Sequence, residues 1–171
     1  MIPKKIEKAF NEQIKHELES AYIYLSMAAW LSKNGYDGMA QWYRVQTMEE
    51  MTHAMKFFDH INDRGGQVVL HDLAQLKTEW KSPKEVVSDA LGHEEFITGK
   101  INELVKLAKE LDDFASMPML NWFVEEQVEE EVNANKNVDM LNMVGEAGHG
   151  LLMVDREMGA RVFVMPPAKE E

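Results

Sequence analysis

Cysteine is absent from the 171 residues of this chain. Its absence excludes disulfide bonds, thiolate nucleophiles and every zinc or iron–sulfur site that depends on thiolate ligands. Only the side chains of glutamate, aspartate and histidine are left as candidate metal ligands.

Two further deficits exclude classes of partner. No run of about 18 apolar residues is present, and segment 1–7 lacks the apolar core of a signal peptide, so we expect a cytoplasmic protein with no membrane partner. Basic residues are few, with 18 Lys and Arg against 30 Asp and Glu and a formal net charge of -12. Nucleic acid binding requires clustered basic side chains, so no nucleic acid partner is expected, whereas an acidic surface attracts cations.

Apolar residues recur at the three- and four-residue spacing of amphipathic helices, which predicts an all-α protein. The first stripe ends at Asn34-Gly35, and the second begins with Asp37 as its expected N-cap and ends at Gly65-Gly66. With 45% hydrophobic residues, the chain can form one domain over 1–171. Its predicted parts are a four-helix bundle over about 3–145, a short fifth helix over about 150–160 and a tail over 161–171.

Segment 67–81 shows no sustained period, and Ser82-Pro83 after it is typical of an N-cap followed by the first helical position. A linker of this length can span roughly 50 Å, whereas a helix of about 28 residues is about 42 Å long. The linker can therefore cross the whole bundle, and the third helix is free to run parallel to the second.

Glu50 and His53 lie three residues apart in the second predicted helix, so one metal ion can contact both side chains. The pair alone is a weak signal, because chance gives nearly one such pair in this composition. A second pair, Glu146 with His149, does occur in a glycine-rich segment.

The signal becomes stronger because polar residues interrupt the apolar stripes of all four helices at a similar height in the bundle. They are Glu17, Glu50, His53, Glu94, Gln127 and Glu130. Several carboxylates buried at one level require compensating positive charge, which two divalent cations would supply. Carboxylate and imidazole ligands suit iron, manganese or zinc, and the set matches most of the di-iron pattern of four-helix bundles.

A less specific interpretation remains for each carboxylate, since a single Glu is more typical of a solvated helix face. The acidic run 125–131 is usually such a face, but Phe123 and Val124 are predicted core residues on the same helix, so part of the run must face inward. A structural bundle that binds zinc or nothing is therefore one alternative, which bound iron would distinguish.

Further residues complete a specific combination over nearly the whole chain. They are Glu17, Tyr24, Glu49-Glu50-Met51-Thr52-His53-Ala54, Arg64-Gly65-Gly66, His93-Glu94, Trp122 and Glu126-Gln127-Val128-Glu129-Glu130-Glu131. With them the chain resembles the prokaryotic non-haem ferritins. The resemblance implies a ferritin-like four-helix bundle with a long crossover between the second and third helices and a short fifth helix.

The resemblance also implies a di-iron ferroxidase centre. In such a centre one iron is bound by Glu17 and His53, the other by Glu94 and Glu130, with Glu50 bridging and Gln127 beside them. An adjacent third iron site maps onto Glu49, Glu126, Glu129 and Glu130. Tyr24 matches a tyrosine that can act as a redox partner, although alone it is equally typical of a core tyrosine.

Haem is not expected. Bacterioferritin has a second Glu-x-x-His on its fourth helix, where this chain has Gln127-Val128-Glu129-Glu130, and this difference favours the non-haem branch. Met51 stands at the position of the haem-ligating methionine of bacterioferritin, but a methionine there is not sufficient evidence for haem.

The function implied by the resemblance is iron storage and detoxification. Fe(II) is oxidised by dioxygen or hydrogen peroxide and deposited as mineral inside a homo-oligomeric shell, usually of 24 subunits in ferritins. Because a four-helix bundle needs no fifth helix, the apolar segment 151–158 predicts a contact with a neighbouring subunit. The alternative is a di-iron peroxidase or oxygenase of the same fold, which requires an apolar substrate pocket or an electron-transfer site beside the metals.

Overall fold

The computed structural model describes residues 1–145 and 148–165, and these residues form five α-helices and no β-strand. The helices are α1 (Lys4–Lys33), α2 (Asp37–Asp63), α3 (Pro83–Glu110), α4 (Met117–Val144) and α5 (Gly148–Met158), and a 3-10 turn at Phe114–Ser116 precedes α4. The predicted all-α bundle with a short fifth helix is confirmed. The end of the predicted tail, 166–171, lies outside the described residues, as does Glu146. None of the five helices has the length and apolar content that crossing a membrane demands.

The turn between α1 and α2 is tight because Gly35 adopts a φ of 84°, a left-handed conformation that favours glycine. The prediction that Asp37 caps α2 was wrong. Tyr36 occupies the N-cap position without a side-chain cap, and Asp37 is the first helical residue. Its carboxylate accepts a hydrogen bond from Ser32 Oγ at 3.1 Å and still complements the positive end of the helix dipole.

The connection from α2 to α3, residues 64–82, runs along the side of α1. Asn11 Nδ2 donates to the carbonyl oxygen of Gln67 at 3.0 Å, and further along Ser26 Oγ donates to the carbonyl oxygen of Lys77 at 2.8 Å. The linker therefore travels towards the end of α1 at which α2 begins. Since α3 starts from that same end, α2 and α3 run parallel, as the linker length allowed.

Two separate apolar clusters fill the bundle. One lies towards the α1–α2 turn and includes Tyr24, Leu31, Met39, Tyr43, Val87 and Leu141. The other lies towards the opposite end and includes Phe10, Ile14, Phe57, Ile97, Ile101 and Phe123. On each long helix, buried polar residues lie between the two clusters, so the bundle contains a polar layer at mid-height. The prediction that Val124 is a core residue was wrong, because its side chain is 37% exposed.

Helix α5 packs against the first turn of α2. The Met39 amide donates to Asp155 Oδ1 at 2.9 Å, and a Cβ on Gly38 would lie 1.8 Å from the carbonyl oxygen of Asp155. Val154 and Met158 are buried in the core of their own chain, whereas Leu152 and Met153 are exposed. The apolar segment thus divides, and only part of it is available to a neighbour.

Candidate metal centre

Three side chains of the polar layer form one compact ligand cluster. Glu17 projects from α1, and Glu50 and His53 project from α2 one helical turn apart. His53 Nδ1 lies 3.4 Å from Glu50 Oε2 and 3.9 Å from Glu17 Oε2. Among the described residues, these three are the one group of His or carboxylate ligands whose donor atoms all lie within 4.8 Å of one another.

The cluster is buried and incompletely satisfied, which fits a cation. Each of the three side chains is at most 3% exposed. Gln13 Nε2 donates to Glu17 Oε1 at 2.8 Å, but Glu17 Oε2 has no hydrogen-bond partner among the described residues. A buried carboxylate oxygen normally has a partner, and a cation bound in the cluster would supply one for this atom.

The charges of the cluster are strongly perturbed. Burial, reinforced by Glu50, raises the pKa of Glu17 to about 8, and burial also raises the pKa of Glu50 to about 7. Burial alone would lower the pKa of His53, but Glu50, Glu126 and Glu17 together raise it well above its usual value. Without a cation the cluster holds protons near neutral pH, and a divalent ion that binds there must displace them.

Glu94 approaches the layer from α3 and is held by two neighbours. The hydroxyl of Tyr24 donates to Glu94 Oε1, and Gln127 Nε2 lies 3.3 Å from Glu94 Oε2. Burial and then Glu130 raise the pKa of Glu94 to about 7. Burial likewise raises the pKa of Tyr24, with Glu94 adding to the effect. Tyr24 is therefore a neutral hydroxyl that donates to this carboxylate.

Glu130 reaches the layer from α4 and is oriented by Gln46, whose Nε2 donates to Glu130 Oε2 at 3.0 Å. Burial raises the pKa of Glu130, although Gln46 opposes the shift. A cavity of about 10 Å³ adjoins Glu94 and Glu130. This volume admits about one water-sized molecule.

The residues predicted for a third site lie further out. Glu49 and Glu126 have side chains 24% and 26% exposed, and Glu129 is exposed. Glu126 Oε1 lies 3.7 Å from His53 Nε2, so this carboxylate faces the ring nitrogen opposite the one that faces Glu17 and Glu50. The structure places Glu49 and Glu126 at the edge of the layer.

Sequence reasoning missed three polar partners of the site. Gln13 lies one turn before Glu17, and Gln46 lies one turn before Glu50 on the inward stripe, so the helical period was a signal for both. Arg161 gave no such signal, because it follows α5 in the segment expected to be a tail. Its guanidinium donates to Gln46 Oε1 and, at 2.6 Å, to Glu49 Oε2.

Comparison with known proteins identifies close relatives. The family described as "Ferritin-like domain" matches residues 7–144. The chain is 38% identical over 163 residues to a bacterial non-heme ferritin of Staphylococcus saprophyticus, covering 95% of this chain and 98% of the relative. It is 38% identical over 159 residues to a probable bacterial non-heme ferritin-like protein of Haemophilus influenzae, covering 93% of this chain and 96% of that one.

Solved structures agree with these sequence relatives. An open-pore ferritin from the archaeon Archaeoglobus fulgidus superposes with a TM-score of 0.93 at 42% identity, over 95% of this chain and 100% of that chain. An engineered closed form of the Archaeoglobus fulgidus ferritin gives a TM-score of 0.94 at 42% identity, over 96% of this chain and 100% of that chain.

Proposed function

Since the chain belongs to the ferritin family, we propose that it stores iron, oxidising Fe(II) at a di-iron centre and depositing Fe(III) as mineral inside a homo-oligomeric shell in the cytoplasm. Glu17 and His53 would hold one iron and Glu94 and Glu130 the other, with Glu50 between them. Gln127 and Tyr24 would orient Glu94. Glu49, Glu126 and Glu129, with Glu130 shared, would hold a third iron.

The observation that carries this proposal is the buried Glu17–Glu50–His53 cluster, in which one carboxylate oxygen has no hydrogen bond to any residue that the structure describes. Hard anionic oxygen ligands favour Fe(III) over Fe(II), so this donor set makes oxidation of bound iron more favourable. Two Fe(II) ions together supply the two electrons that reduce one dioxygen to hydrogen peroxide. This reduction consumes two protons. Carboxyl groups that release protons on iron binding are beside the reaction.

The size of the adjoining cavity favours this function over a peroxidase or oxygenase acting on an organic substrate. Pockets for organic ligands usually have volumes of hundreds of Å³ and apolar linings. The cavity beside Glu94 and Glu130 has a volume of only about 10 Å³, room for about one water-sized molecule, so an organic substrate does not fit there.

Iron turnover and iron retention together test the proposed function. We expect metal-free protein to oxidise added Fe(II) in air many times faster than buffer does, and the iron to elute with the protein on size exclusion. The measurement is the ferric absorbance with time, followed by iron and protein assays of the eluted fractions. Zinc retention without Fe(II) oxidation would support a structural bundle, and oxidation without iron retention would support a peroxidase or oxygenase.

Neutralising Glu49 and Glu126 should show whether the third site has a different role from the two irons of the proposed di-iron centre. We expect Glu49→Gln combined with Glu126→Gln to keep rapid oxidation of two irons per chain and to change the amount of dioxygen consumed per iron. Stopped-flow absorbance and an oxygen electrode measure the two quantities. Glu125→Gln, an exposed carboxylate of the same acidic run, is the matched control. Loss of the rapid phase would place Glu49 and Glu126 in the main centre instead.

A further inference from the structure

The segment after α5 returns to α2, where the side chain of Arg161 contacts Trp42, Gln46 and Glu49. Arg161 is 16% exposed, whereas Val162 and Val164 beyond it are 74% and 79% exposed. The guanidinium carbon of Arg161 lies 4.2 Å from the ring centroid of Trp42, a cation–π contact. Arg161 therefore lies against the inward-facing side of α2 beside the metal centre, although it belongs to no helix.

The guanidinium makes two charge-assisted contacts at the edge of the polar layer. Nη2 donates to Glu49 Oε2 at 2.6 Å, and Nη1 donates to Gln46 Oε1. Since arginine stays charged at every physiological pH, the Glu49 carboxylate always has one positive charge in contact with it. Glu49 Oε2 cannot make this contact and coordinate a metal ion along the same direction.

The contact with Gln46 extends the influence of Arg161 to Glu130. Because Gln46 Oε1 accepts from Arg161, its amide nitrogen is turned towards Glu130 and donates to Oε2 at 3.0 Å. Arg161 thus contacts one carboxylate assigned to the third site, Glu49, and acts on a second, Glu130, through Gln46. Glu49 Oε2 must be released from the guanidinium before it can bind a cation, whereas the neutral amide of Gln46 engages only one oxygen of Glu130, Oε2.

We propose that Arg161 is an internal competitor for the third cation, holding Glu49 while that site is empty and leaving it when the cation binds. The inference rests on the proposed function, since it concerns the third site of the same centre. Oxidation of two irons at the pair needs no movement of Arg161. Filling the third site, by contrast, requires the guanidinium of Arg161 to leave Glu49 Oε2.

Titration of metal-free protein with Zn(II), which is not oxidised, tests this competition by calorimetry without any activity measurement. We expect Arg161→Gln to raise the affinity of the third Zn(II) about tenfold, as removal of one partly buried competing ion pair implies. The two tighter sites should change by less than about threefold, since their ligands lie further from the lost charge. A stop after Ala160, which keeps α5 and removes the whole segment, should give the same gain.

Two controls isolate the contact itself. Arg156→Gln removes the same charge from an exposed position on α5 and should leave the third affinity unchanged. In a Glu49→Gln background, Arg161→Gln should give no gain, because the contested carboxylate is already gone. As a second signal, Zn(II) at the third site should change the fluorescence of Trp42 in the native chain but not in Arg161→Gln, with Trp42→Phe used to assign the change.

The outcomes separate this inference from the function on which it rests. An unchanged or weaker third affinity in both Arg161→Gln and the stop after Ala160, with two strong sites intact, overturns the competition alone. The same holds if neither variant binds a third Zn(II). If the native chain and all variants bind fewer than two Zn(II), the di-iron assignment fails and the competition fails with it.

Discussion

We expect His53→Ala and Glu94→Ala each to slow rapid Fe(II) oxidation by at least about 100-fold, because each removes a ligand from a different iron of the proposed pair. His53 lies in the cluster with Glu17 and Glu50, and Glu94 lies opposite on α3, held by Tyr24. Both iron positions must be filled to supply two electrons to one dioxygen. Stopped-flow absorbance after mixing with Fe(II) in air measures the loss.

Both variants should still fold, because the two apolar clusters lie on either side of the polar layer and do not depend on it. Without His53, which lowers their pKa values, Glu17 and Glu50 keep their protons more readily, so the variant is not left with unpaired buried charge. Glu95→Ala, next to Glu94 but exposed, is the control and should oxidise iron at the native rate. Native rates in His53→Ala and Glu94→Ala, with circular dichroism showing folded helices, would refute the assignment of the pair.

The polar layer could be predicted because its residues break a regular pattern. On α1 and α2 the apolar period continues on both sides of Glu17 and Glu50, so a charged residue within it must point inward. Their common height followed from counting residues from the turns. The crossover could be predicted as well. Residues 67–81 show no helical period, Ser82-Pro83 is typical of a helix start, and a linker of that length can span the bundle.

Other features depended on contacts between distant segments and gave no local signal. Val124 was predicted as core because it lies four residues after Leu120 in the apolar stripe, but it is about 100° from Phe123 around the helix, and Phe123 is the one that faces inward. Arg161 follows α5, and nothing in its neighbourhood predicts that it reaches Gln46 and Glu49 on α2. Its position results from how α5 docks on Gly38, a tertiary contact.

The negative charge of the buried carboxylates in the polar layer is neutralised by protons and by Arg161. Buried carboxylates from α1, α2, α3 and α4 converge, and burial raises the pKa values of Glu17, Glu50 and Glu94 above those of exposed glutamates. Protons compensate this charge at the buried end of the layer, and Arg161 compensates Glu49 at its edge. With the proposed ligands, incoming cations would replace two kinds of positive charge, protons at the di-iron pair and a guanidinium at the third site.

The exposed part of α5 should decide whether chains assemble. Val154 and Met158 are buried against their own bundle, so truncating α5 would expose the core. A loss of assembly could then not be distinguished from a loss of folding. Leu152 and Met153 are 49% and 73% exposed, and they can be changed without disturbing that packing. Adjacent exposed apolar side chains on a docked helix are typical of a subunit contact.

We therefore expect Leu152→Asp combined with Met153→Asp to convert a large closed assembly into species no larger than a dimer, because the contact repeats at every symmetry-related interface. Sedimentation velocity measures the change in size. The rapid oxidation of two irons per chain should survive, since the pair lies within one subunit, while iron retained per chain should fall several-fold for lack of an enclosed cavity. Arg156→Asp adds the same two units of negative charge without removing an apolar side chain and should still assemble. If the native chain itself sediments as a monomer or dimer, even when loaded with iron, storage inside a shell is the wrong function and a peroxidase or oxygenase becomes the better proposal.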